Sequence, residues 1–127
     1  MKATKMILTT VFFGLLLSMS TGVQAQNLVK VAPKGFTKTL LENDQVRVLQ
    51  IESAPGETTP WHSHPNYILY PLTDGKLEVT DKGQTAKILG FKAGEALYFP
   101  AVTHMVKNIG NTTVKMVITE LKTAEKK

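Results

Sequence analysis

The residues of this chain with the clearest capacity for chemistry are its three histidines, His62, His64 and His104. His62 and His64 are separated by one residue, and His104 follows forty residues later on another short segment of strand-forming character. Residues two apart on a strand point to the same face, so His62 and His64 can converge on one atom if a second strand brings His104 to them. Neutral imidazole ligates divalent metals well, and a site of three protein ligands leaves coordination positions open. One histidine alone is more often a surface residue or a satisfied core residue. The His-x-His spacing together with the third histidine is what points to a metal site.

The elements that must position these histidines are short. Runs rich in β-branched and aromatic residues predict strands near Gln45–Glu52, Thr58–His62, Tyr67–Leu72, Lys76–Thr80, Thr85–Leu89, Ala96–Phe99, His104–Asn108 and Val114–Leu121. Between them stand Ala54-Pro55-Gly56, Asp74-Gly75, Asp81-Lys82-Gly83, Ala93-Gly94-Glu95 and Gly110-Asn111-Thr112, which supply the Gly, Pro, Asn and Asp that tight turns use. No long amphipathic helix and no repeat of fixed period interrupts them. The pattern predicts an all-β fold, an antiparallel sandwich or jelly-roll β-barrel. Residues 26–41 are expected as a leading arm or edge strand, 42–122 as the barrel and 123–127 as a polar tail.

The first 25 residues are set apart by their chemistry. Met1-Lys2-Ala3-Thr4-Lys5 is positively charged, Met6 to Leu17 is largely apolar, and Val23-Gln24-Ala25 fits a small-residue cleavage site. Together they predict an export signal cut before Gln26 and a periplasmic or secreted protein. The apolar run is interrupted by Thr9-Thr10 and falls short of the ~20 residues of a membrane span, so no membrane association is expected after cleavage. Cleavage would leave 102 residues, enough for one domain with one core. With no cysteine in the chain, stability must come from packing, a metal or oligomerisation rather than from disulfides. Removing Lys2 and Lys5 from the 15 basic residues leaves 13 against 10 acids, a net +3. The lysines are scattered from Lys30 to Lys127 without a run or an aromatic-interleaved stripe, so no nucleic-acid partner is expected.

Over residues 42–122 the sequence resembles the cupin family, small single-domain members in particular. The first cupin motif runs glycine, five residues, His-x-His, three or four residues, glutamate, six residues, glycine. Gly56, His62, His64 and Gly75 fall on that spacing, and Ile68 stands where the glutamate is usual. The second motif is answered by Gly94, Pro100, His104 and Asn108, with Val102 at the usual glycine and one residue fewer before the histidine.

The resemblance implies that His62, His64 and His104 bind one divalent ion (iron, manganese, zinc or nickel) inside the barrel. Isoleucine cannot ligate, so three neutral imidazoles would leave the ion's charge uncompensated and favour an anionic ligand. Such a centre is similar to that of the thiol dioxygenases, which are also cupins. Two functions are open: a metal-dependent dioxygenase or isomerase acting on a small, anionic molecule, and a non-catalytic cupin module that binds one. No further histidine or carboxylate is placed by the sequence as a general base.

If Ile68 takes the inward glutamate position, parity carries Tyr70 inward with it, and Tyr70 is the candidate catalytic proton donor; core packing is the alternative role. Asn108 shares the face of His104 and is a candidate for supporting the site or a turn. Trp61 and Met105 should point away, and Asn66 and Tyr67 should form a turn or the pocket rim. A domain of this size, rich in strand edges and without disulfides, is expected to be a homodimer, with the arm contributing.

Overall fold

The computed structural model describes residues 27–32 and 37–123. The expected export signal at 1–25 lies outside the described residues. So does the tail from residue 124 onward.

A four-residue helix α1 (Leu28–Val31) precedes nine strands: β1 (Thr37–Glu42), β2 (Val46–Ser53), β3 (Thr58–His64), β4 (Tyr67–Pro71), β5 (Gly75–Asp81), β6 (Lys87–Phe91), β7 (Leu97–Phe99), β8 (Val102–Asn108) and β9 (Val114–Leu121). They form two antiparallel sheets, one ordered β1-β2-β9-β4-β7 and the other β3-β8-β5-β6. This is the expected jelly roll. Within the segment read as an arm or edge strand, Thr37–Glu42 is the edge strand of the larger sheet, paired with β2.

Alternation builds the core. Along β9 the residues Val114, Met116, Ile118 and Glu120 are buried while their neighbours are not, as expected of a strand with one face on a core and one toward water. Leu49 and Ile51 of β2, Leu69 of β4, and Leu77 and Val79 of β5 meet them between the sheets. Gly75 opens β5 where a Cβ would stand 2.7 Å from both Phe91 Cζ and Val114 Cγ2, so the packing there admits no side chain. Gly56 and Gly83 adopt positive φ, 82° and 81°, in the turns after β2 and β5, a conformation glycine takes without steric cost.

β3 is an edge strand of the smaller sheet, and it carries Pro60, which lacks a backbone N–H and is tolerated at such an edge. The register of β3 against β8 shifts between Thr59 and His62. Beyond that shift His62 lies directly opposite His104. On its other side, Asn27 forms a parallel bridge with Ser63, so the short N-terminal segment covers part of an edge that would otherwise be open.

Candidate metal centre

His62 and His64 share the inward face of β3, and the β3–β8 register delivers His104 beside them. One ring nitrogen from each of the three lies within 4.8 Å of the others, and all three residues are buried. Their rings pack edge to face, with centroids 4.9 Å apart for His62–His64, 4.7 Å for His62–His104 and 5.2 Å for His64–His104.

The second nitrogen of two rings is tied back to the protein. His62 Nδ1 lies 2.7 Å from the Pro60 carbonyl oxygen, and His64 Nδ1 lies 2.6 Å from Glu120 Oε2. Each contact fixes Nδ1 as the N–H donor, which leaves Nε2 with its lone pair free for a metal. Asp81 Oδ1 is 3.8 Å from His104 Nδ1, beyond hydrogen-bond reach, and Asp81 is paired instead with Lys87.

Burial keeps two of these rings, those of His62 and His104, neutral. Removal from water is the largest influence on His62 and lowers its pKa to about 4, assisted by His64 and opposed by the Pro60 carbonyl. The same cause, with charge repulsion from His62 and His64, lowers His104 to about 3. Neutral imidazole is the form that ligates. Three such donors suit a borderline divalent ion such as zinc, iron or nickel, so the residues present fit a metal.

Behind His64 stands Glu120, which is 2% exposed. Burial by itself would raise its pKa, but hydrogen bonds from His64 and Arg47 outweigh that and hold the carboxyl below its ordinary value. Arg47 bonds Oε1 through Nε at 2.7 Å and Nη2 at 2.5 Å, while Oε2 serves His64. The sequence carried a signal for Glu120 that strand prediction alone did not exploit: it continues the buried parity of Val114, Met116 and Ile118, and a carboxylate on a buried face needs partners.

The parity expected for β4 is reversed. Ile68 and Tyr70 are 37% and 44% exposed on the outer face, whereas Tyr67 and Leu69 are buried. Tyr70 therefore does not enter the site, and the inward glutamate position is filled by Leu69, with four residues between it and His64, rather than by Ile68. The phenol in the cavity is that of Tyr67. Its ring lies 4.6 Å from that of His64 and stacks on Phe99 at 5.3 Å. Burial, with Asp81 and Glu120 adding to it, pushes its pKa far above that of an ordinary tyrosine, so it stays a protonated donor.

Asn108 supports a turn: its amide donates to the carbonyls of Ser53 and Thr112, and its Oδ1 accepts from Gly110 N–H. Asn66 accepts from Ala101 N–H and so pins the connection before β8. Trp61 is exposed, pointing away from the histidines.

The histidines open into a cavity of about 330 Å³ between the sheets, within the lower range of small-molecule sites. Its walls are largely aliphatic, with Tyr67, Asp81 and Lys87 among the polar groups. Asp81, expected in a turn, ends β5 and lines this space.

A family model described as Cupin domain matches residues 49–120. No curated protein matches the chain. Among solved structures, a cupin domain from Bordetella pertussis Tohama I is 24% identical, with a TM-score of 0.65 over 80% of this chain and 100% of the other. An RmlC-like cupin of double-stranded β-helix fold from Methanocaldococcus jannaschii is 20% identical, with a TM-score of 0.57 over 68% of this chain and 78% of its own. A protein from Thermotoga maritima described as a predicted oxalate decarboxylase is 23% identical, with a TM-score of 0.53 over 68% and 79%. At these identities the likeness is one of fold.

Proposed function

This chain belongs to the cupin family, and from that premise we propose that it is a metal-dependent cupin that acts on a small, anionic molecule, as a dioxygenase or isomerase. The observation that carries the reading is the convergence of three buried imidazoles on the wall of a largely aliphatic cavity. His62, His64 and His104 would hold the ion, which when bound supplies Lewis-acid polarisation of a substrate oxygen. With no carboxylate among these ligands, the ion's charge is left for an anionic group of the substrate to balance. The protein's own residues do the rest: Tyr67 donates a hydrogen bond from a phenol that does not ionise, and the aliphatic walls exclude water.

The alternative, a non-catalytic module that binds such a molecule, draws support from Glu120. Both its oxygens are engaged by Arg47 and His64, so it is not available as a general base. Oxygen uptake by protein loaded anaerobically with iron, in the presence of small carboxylates, phenols or thiols, separates the two. Turnover-linked consumption supports the enzyme, while metal binding and ligand binding without it support the module. Metal content is the prior test: His62→Ala, His64→Ala and His104→Ala should each lose most of the bound metal, and Met105→Leu should retain it.

The proposal extends to export, as a periplasmic or secreted protein, and to a homodimer. The dimer is supported by an apolar outer face on β4 and β7, where Ile68, Tyr70 and Tyr98 are exposed, with exposed Leu72 directly after β4, and Ile68 lies opposite Tyr98. A monomer mass by light scattering at high micromolar concentration would refute it.

A further inference from the structure

Leu28 lies outside the segment that matches the family, residues 49–120, yet it is 2% exposed and lines the same cavity as the three histidines. Its placement has a clear cause. Asn27 bridges Ser63, the residue between His62 and His64, and the Asn27 side chain caps α1 by accepting from Lys30 N–H at 3.3 Å. Leu28 therefore follows directly from the edge of the strand that carries two of the histidines, and α1 turns it into the interior. Asn27, Lys30 and Val29 stay at the surface or only partly covered, so Leu28 is the residue of this segment committed to the cavity. The neighbouring walls are Leu69, Ile118 and Met116 of the larger sheet, all aliphatic. The polar groups on the cavity wall are the histidines, Tyr67, Asp81 and Lys87, with Ser53 and Thr59.

We propose that Leu28 is a specificity-determining residue, which limits the bulk of a ligand that presents a carboxylate to the histidines and an aliphatic body to the cavity wall. The assignment rests on reading the histidines as a metal centre with an anionic ligand. An aliphatic body gains from each methylene it buries, and a carboxylate head meets the uncompensated charge of the ion. Acetate would leave most of a 330 Å³ space unfilled, and Leu28 is part of the wall that a longer straight-chain acid would press against as it fills that space.

The test uses the purified protein loaded with zinc, with zinc stoichiometry measured first and straight-chain carboxylates from acetate upward then titrated calorimetrically. Affinity should rise about fourfold per methylene and then stop rising at a definite length. Leu28→Ala should move that break to acids longer by about two methylenes, because it removes three carbons from the wall. Leu28→Phe should move it to shorter ones. In the wild-type protein, the terminal methyl of the longest acid before the break should show a nuclear Overhauser contact to the Leu28 methyls, and this decides the matter if Leu28→Ala does not fold. A break at the same length in all variants, or no contact to Leu28, overturns the assignment while leaving the metal centre standing. Absence of zinc uptake overturns the metal centre itself, and the assignment with it.

Discussion

Replacing Glu120 with glutamine tests how the site is oriented. The carboxylate has two acceptor oxygens, and both partners are donors: His64 Nδ1 at 2.6 Å and Arg47 Nε at 2.7 Å. An amide of the same shape has a single acceptor oxygen, so its NH2 group must face either the imidazole N–H or the guanidinium. If it faces His64, the ring is pushed toward the other tautomer, whose Nε2 carries the proton and cannot ligate. If it faces Arg47, a cation whose side chain is only 15% exposed loses its counter-charge. Loss of such outer partners typically weakens metal binding about 10- to 100-fold, which corresponds to roughly 1.4–2.7 kcal/mol. The fold should also lose about 1–3 kcal/mol, the usual cost of leaving a buried donor unpaired. Zinc affinity, measured by competition with a chromophoric chelator on Glu120→Gln and wild type, reads the first quantity, and urea unfolding reads the second. A folded variant whose zinc affinity stays within twofold of wild type would refute the role given to Glu120.

Leu69→Glu should place a fourth ligand in the cavity and tighten metal binding while weakening that of anions, whereas Ile68→Glu, on the exposed face, should change neither; equal effects in the chelator assay would show that β4 has been read with the wrong parity. Without metal, Leu69→Glu should unfold more easily by several kcal/mol, because it buries an unpaired charge. The metal-free protein should lose stability on acidification. His62 and His104 are held near 4 and 3 when folded against about 6.5 unfolded, so between these values the unfolded chain binds more protons and stability rises with pH. His62 alone accounts for about 3 kcal/mol between pH 6.5 and 4, and Glu120, depressed in the fold, adds a loss of the same sign below the ordinary carboxylate range. Urea midpoints that match at pH 7 and pH 4.5 would contradict this. Gly75→Ala should cost about 1–3 kcal/mol, because its Cβ would overlap Phe91 and Val114; a thermal midpoint equal to wild type would mean that these side chains yield.

The positions of the histidines, with the glycines and proline spaced around them, were enough to identify the family and a candidate ligand set. His-x-His on a strand commits both side chains to one face whatever the rest of the fold does, and turn residues at Gly56, Gly75 and Gly94 fix where the flanking strands begin. Local periodicity thus settled the all-β class and the candidate ligands. It could not settle which face of β4 is inward, because Tyr67, Ile68, Leu69, Tyr70 and Leu72 are apolar on both parities; only the pairing of β4 with β9, Leu69 against Ile118, places Leu69 inside and Tyr70 outside. Nor could it join Glu120 to His64, 56 residues apart, or bring Leu28 to the cavity across the edge of β3. Alternation is a property of one strand. Register between strands, which decides what a buried carboxylate or a leading segment meets, belongs to the folded sheets alone.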